Sequence, residues 1–176
     1  PTRKYDIVAM QASIIYNEYG DHDPYGLIYA LAEDEAAILA GTKKPEPLVI
    51  RANEGECIEV TLANHLSSTF NPNFSFTNHN SVPDGDPSLP IEPPIGTPAG
   101  LRVSLHPQLV LYDARGSDGA TVGFNRDQTV GPGETILYRW YADDVNPGEL
   151  GAINLTDYGD IRGHRHNGES AAAIEK

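Results

Sequence analysis

At 176 residues, with 39% hydrophobic and 8% aromatic side chains, the chain is long enough to bury one core and reads as a single domain over 1–176. A net charge of −13 repels phosphate backbones, which argues against nucleic acid, and is compatible with cations. No stretch reaches the roughly 18 apolar residues of a membrane span, and 17 glycines with 14 prolines favour a turn-rich β protein over a helical bundle.

In chain order, Tyr5 to Met10 and Ser13 to Tyr16 read as strand. Tyr19 to Gly26 reads as a turn-rich loop and Leu27 to Leu31 as a short strand. Glu33 to Ala40 is predicted as a short helix, with acidic residues in its first turn and Gly41 placed to end it. Leu48 to Arg51 and Cys57 to Ala63 are strands around an Asn53–Glu56 turn. In the second of these, Ile58, Val60 and Leu62 alternate with Glu59 and Thr61, the period of a half-buried strand. Ser67 to Gly100 holds half of the 14 prolines and reads as a long irregular excursion. Strands follow at Arg102 to Leu105, Leu109 to Tyr112, Ile136 to Tyr141 and Gly151 to Leu155, with a Val130–Glu134 turn between them. Short strands separated by Gly/Pro turns predict an antiparallel sandwich or barrel. Pro1 in place of a Met reads as the start of a mature, processed or excised piece, and no signal peptide is recognisable.

The segment Gly163-His164-Arg165-His166-Asn167-Gly168 carries the strongest chemical signal. Residues two apart on an extended strand share a face, so His164 and His166 can offer both imidazoles to one metal or to two adjacent ones. Cys57 is the only cysteine, which excludes an internal disulfide; with no histidine near it in sequence, it reads as structural or unreactive. Asp21-His22-Asp23 and Asp84-Gly85-Asp86 could hold Ca²⁺ through oxygens, but their spacing fits solvated turns better than a calcium loop. His65 and His79 have no spaced partner and read as surface residues. Asn73-Phe74-Ser75 and Asn154-Leu155-Thr156 match the glycosylation sequon. Phosphate loops, a dinucleotide fingerprint, His-Glu-x-x-His and Gly-x-Ser-x-Gly are missing, and Ser104 beside His106 does not make a triad by spacing alone.

The ordered run Leu48 to Asn64, Ser104-Leu105-His106-Pro107, Asp118-Gly119, Gln128 to Ala142 and His164-Arg165-His166-x-Gly168 resembles a cupredoxin domain of the multicopper oxidases, over roughly residues 45–170. The wording of Tyr19 to Pro24, Arg102 to Gln108 and Gly116 to Asn125 is similar to large bacterial members of the manganese-oxidase type. The resemblance implies a cupredoxin-like antiparallel Greek-key β-sandwich with one short helix and a long Pro-rich loop. It also implies copper held by His106, His164 and His166 as part of an oxygen-reducing site. Further cupredoxin domains or subunits, a homo-oligomer among them, would supply the rest of that site. A small reductant or Mn(II) would be the electron source, and the place extracellular or periplasmic. His106 is followed by Pro107 and Gln108 where the family has a second histidine, and no His-Cys-His segment exists. The chain would therefore act as an oxidoreductase only with a partner. The alternatives are a non-enzymatic cupredoxin-fold module for copper carriage or assembly, and a metal-free extracellular binding or matrix sandwich.

Overall fold

The structure is a computed structural model that describes residues 1–69, 100–120, 124, 126–143, 152–160, 164 and, for the backbone, 172–175. Nine strands and two short helical turns are found among these residues: β1 Thr2–Ile15, β2 His22–Leu31, a 3₁₀ turn Ala32–Asp34, α1 Glu35–Leu39, β3 Leu48–Arg51, β4 Glu56–Asn64, β5 His106–Pro107, β6 Leu111–Tyr112, β7 Thr135–Ala142, β8 Ala152–Thr156 and β9 Ala172–Glu175. They form two sheets, one ordered β2-β1-β4-β7-β6 and the other β3-β9-β8-β5.

Register explains the sandwich. Ile7, Leu62 and Ile136 lie side by side across β1, β4 and β7, as do Tyr5, Val60 and Tyr138 on the next inward rung. Leu48, Ile50, Ile153 and Leu155 face them from the second sheet and complete one buried core. The rung on the other side of Tyr5, Lys4–Glu59–Arg139, faces outward as a charged row. Arg139, and after it Lys4, hold the Glu59 carboxyl below its ordinary range. The unbroken apolar run Ile7-Val8-Ala9-Met10 has a different cause. Ile7 and Ala9 face the main core, while Val8 and Met10 pack with Ile28, Ala30 and Ile38 of α1 on the other side of the sheet. That strand is covered on both faces.

Polar side chains, most of them buried, tie the layers together. Tyr5 Oη donates to the Arg51 carbonyl at 2.5 Å, joining β1 to β3. Tyr29 Oη donates to the Ser104 carbonyl at 2.8 Å, Tyr138 Oη to Gln128 O at 2.6 Å, and Trp140 Nε1 to Ser117 O at 2.9 Å. Burial pushes the Tyr138 phenol above its ordinary range. Asn64, fully buried, donates to the carbonyls of Leu101 at 2.7 Å and Val130 at 2.9 Å and accepts from Leu66 N at 3.0 Å.

Several expected elements shift. The two opening strands are one, with a register shift between Ala12 and Ile14. The loop expected over Tyr19 to Gly26 is narrower, because β2 begins at His22 and tolerates Pro24 as an edge strand. Arg102 to Leu105 reduces to an isolated bridge between Val103 and Val130. The strand expected from Leu109 starts only at Leu111, since Leu109 has a left-handed φ of 54°. Two pairings, β1 with β4 and β3 with β9, are parallel, so the sandwich is mixed where an antiparallel one was expected. Alternation has the same period in both orientations and cannot tell them apart. β9 was missed, its Ala-rich sequence having weak strand propensity.

Truncating Asn64 to Ala strands the Leu101 carbonyl and the Leu66 N–H and leaves the Val130 carbonyl with Val103 N–H alone, and is expected to cost about 2 to 3 kcal/mol, read from urea unfolding by circular dichroism. The Glu56 carboxyl is held down to about 2 by the Arg3 guanidinium and then by Asn53 N–H. Its folded pKa is depressed, so its contribution is full above the ordinary value of 4.5 and is lost as pH falls towards about 2. Glu56→Gln should flatten the stability-versus-pH curve in that window, measured by thermal unfolding at successive pH values.

Candidate metal centre

β5 is the outer strand of one sheet and β6 the outer strand of the other, and the candidate centre lies where these two edges meet. His106 opens β5 opposite Thr156 of β8. Its imidazole packs against Tyr158, with ring centroids 4.7 Å apart, and edge-on against Tyr112 of β6 at 5.9 Å. Tyr112 itself stands opposite Trp140, which stacks on Tyr138 at 5.8 Å. The His106 side chain, 17% exposed, thus caps an aromatic row that runs into the core.

The ring is fixed from behind. His106 Nδ1 meets the Asp118 carbonyl oxygen at 2.7 Å and the Asp118 carboxylate at 3.0 Å. Both are acceptors, so Nδ1 carries the hydrogen, and a neutral ring then has its lone pair on Nε2. Nothing bonds Nε2 among the described residues. Gln128 holds the Asp118 loop by accepting from Asp118 N at 2.7 Å and Gly119 N at 3.3 Å while donating to Ala114 O at 2.8 Å. Gly119 has φ +71°, and a Cβ there would collide with the Leu105 carbonyl. Only glycine lets the loop close on His106. Burial first, and the Asp118 carboxylate second, push the Tyr112 phenol above its ordinary range.

His164 is arranged differently. It is 1% exposed, its Nδ1 bonds Asp157 Oδ2, and its Nε2 lies 2.6 Å from the Gly100 carbonyl oxygen. A ring with acceptors on both nitrogens satisfies both only as the imidazolium, so His164 and Asp157 form a buried ion pair. Asp157 Oδ1 also accepts from Ser104 N at 2.9 Å, Ser104 Oγ at 3.4 Å and Gly159 N at 2.6 Å. Gly100 N donates in turn to Asp160 Oδ2 at 2.5 Å. The carboxylate–imidazole bond is the one that orients a metal-ligating histidine, but here the Gly100 carbonyl stands where Nε2 would meet the ion.

His106 and His164 are both held by the 156–158 stretch, through different partners, and both His164 nitrogens are engaged while His106 uses only Nδ1 among the described residues. His166 lies outside the described residues, as do His79, Asp84, Asp86 and Asn73. Among the described residues, no three His, Cys, Asp or Glu side chains gather closely enough to hold a metal. Cys57 is exposed, on the rung of Thr2, Tyr141 and Leu111, with no imidazole beside it among the described residues. The donor set fails a blue-copper thiolate centre and fits a share of an imidazole site, with one open nitrogen on His106. Among the described residues no imidazole bonds the Ser104 hydroxyl, which accepts from Tyr158 N at 2.9 Å. Asp23 accepts from Tyr25 N and Asn17 bonds Asp21, the turn roles expected of that loop, while His65 pairs with Glu35 at 2.8 Å. Asp157, Tyr112 and Tyr158 carry no chemical signal in the sequence, and Asp118 is marked only by its place in the resemblance.

No family model matches this chain, and no curated protein matches it. Solved structures do. A multicopper oxidase from Pseudomonas thermotolerans superposes with a TM-score of 0.58 at 13% identity, covering 99% of this chain and 29% of the other. A copper nitrite reductase from Nitrosomonas europaea gives 0.55 at 17% identity, covering 99% and 41%. A blue copper oxidase from the same organism gives 0.53 at 14% identity, covering 99% and 38%. The chain therefore has a cupredoxin-like fold and spans less than half the length of each of these structures. Among the described residues no helix is long and apolar enough to cross a membrane.

Asp157→Asn strands a buried imidazolium and is expected to lower stability by about 3 to 5 kcal/mol, measured by denaturant titration. The same change at exposed Asp113 should leave the unfolding midpoint essentially unchanged.

Proposed function

We propose that the chain is a cupredoxin domain of a multicopper oxidase, contributing His106, His164 and His166 to a copper site completed by a second domain or subunit. The observation that carries the proposal is His106: Nδ1 anchored on Asp118 and Nε2 left open at the meeting of two sheet edges. Bound copper would supply the one-electron steps between a small reductant, Mn(II) among the candidates, and dioxygen. The chain's own share is to hold the His106 ring in one tautomer, keep water from its back face with Tyr112 and Tyr158, and offer an acidic surface that concentrates cations. His164 joins that set once its Nε2 leaves the Gly100 carbonyl. Electron entry through a thiolate copper has to come from the partner, and an extracellular or periplasmic setting goes with the reading.

The His164–Gly100 bond favours a second reading, a cupredoxin-fold module for copper carriage or assembly in which His164 serves only the fold. Copper stoichiometry of the untagged chain, with and without single alanine substitutions, separates the two. Under the first reading His106→Ala and His166→Ala each weaken copper binding about tenfold or more with unchanged thermal stability, and oxidase activity needs the partner. Unchanged copper content in both variants, or a strong blue colour from the isolated chain, refutes it. If only His164→Ala has an effect, and that effect is unfolding, the structural reading stands.

A further inference from the structure

β1 and β2 form a hairpin whose tip, Tyr16 to Asp21, projects with an unusual load of exposed apolar surface. Ile15 and Tyr16 are each 65% exposed, Tyr19 85%, Tyr25 51%, and Leu39 of the neighbouring α1 66%. Clustered exposure of this size marks contact surface, whereas single exposed apolar residues need no explanation. The tip is rigid. Tyr16 N donates to Asp21 O at 2.8 Å, and Asn17 Oδ1 accepts from Tyr19 N at 2.9 Å and Asp21 N at 3.2 Å. Asn17 Nδ2 closes the turn on Asp21 Oδ2 at 2.6 Å. Presenting the tyrosines therefore costs little ordering entropy on association.

Beside the tip lies a groove of about 600 Å³, formed by Met10, Ile15, Ile38 and Leu39 with Lys43, Lys44 and a Glu35 that is engaged by His65 at 2.8 Å. Two adjacent lysines are conspicuous in a chain with 12 basic and 25 acidic residues. Asp34 engages Lys43 at 2.5 Å, while Lys44 has no partner among the described residues. The tip carries the opposite sign, through Glu18, Asp21 and, at its base, Asp23. Aromatic rings with acidic companions match an apolar groove edged by Lys44, and tip and groove share strand β1.

We propose that two copies of the chain associate through this hairpin, the Tyr16–Asp21 tip of each seated in the groove of the other. Because tip and groove adjoin, one two-fold axis beside the hairpin engages both at once, as an isologous dimer requires. The chain's overall charge of −13 opposes association in general, so the local tyrosine and lysine contacts must outweigh it. The proposal stands independently of copper.

Sedimentation equilibrium on the full chain over a wide concentration range tests it. The wild type should dimerise reversibly. Tyr16→Ser and Tyr19→Ser should each raise the dissociation constant about tenfold or more, with unchanged circular dichroism. Lys44→Glu should weaken the dimer, and adding Glu18→Lys to it should restore association. A monomer at every concentration, or a dimer indifferent to the tyrosine changes and the charge swap, overturns the proposal.

Discussion

A carboxylate buried as deeply as Asp157 cannot stay charged without partners, and the organisation of the β5–β8 edge follows from how those partners are supplied. Backbone N–H groups of Ser104 and Gly159 arrive from two chain segments, and the His164 imidazole arrives from a third. The far side of that imidazole then catches the Gly100 carbonyl, and Asp160 catches the Gly100 N–H. One charge thereby fixes where Gly100 sits, where β8 ends and where His164 sits. Ion pairs of this kind add little net stability over an apolar substitute, yet removing one member is costly, which makes them specifiers of arrangement. Here they specify a sheet edge.

The second consequence concerns His106. With the β8 end fixed, Tyr158 is delivered to one side of the ring while β6 brings Tyr112 to another. The Asp118 loop closes behind the ring because glycine at 119 permits it and Gln128 clamps it. The two histidines show opposite uses of one side chain. His164 spends both nitrogens on oxygen acceptors inside the protein, while His106 spends one and keeps the other. Of the two, His106 has the chemistry of a ligand already prepared.

Local periodicity made part of this legible. The Ile58/Val60/Leu62 alternation gives β4 to within a residue or two, and Ile136/Tyr138/Trp140 gives β7 in the same way, because both strands are covered on one face only. β1 misled as two pieces because α1 covers its other face and a register shift interrupts its alternation. The parallel partners of β1 and β3 lie far along the chain, and no local pattern encodes such pairing. The sequence names His106 and His164 as imidazoles of interest, but burial and partners divide their roles. Asp157, within Thr156-Asp157-Tyr158-Gly159, reads as an ordinary turn aspartate until Ser104 is brought beside it.

Trp140 is the only tryptophan in the chain, is 2% exposed, and stacks on Tyr138 at an interplanar angle of 14°. Emission excited at the red edge of the indole band, where the nine tyrosines do not absorb, is consequently a signal from one known spot in the middle of the sandwich. That spot stands in register with Tyr112, whose ring touches His106. An intrinsic optical reporter is thus already wired from the deepest packing to the rim, able to register a disturbance at either end without any introduced label.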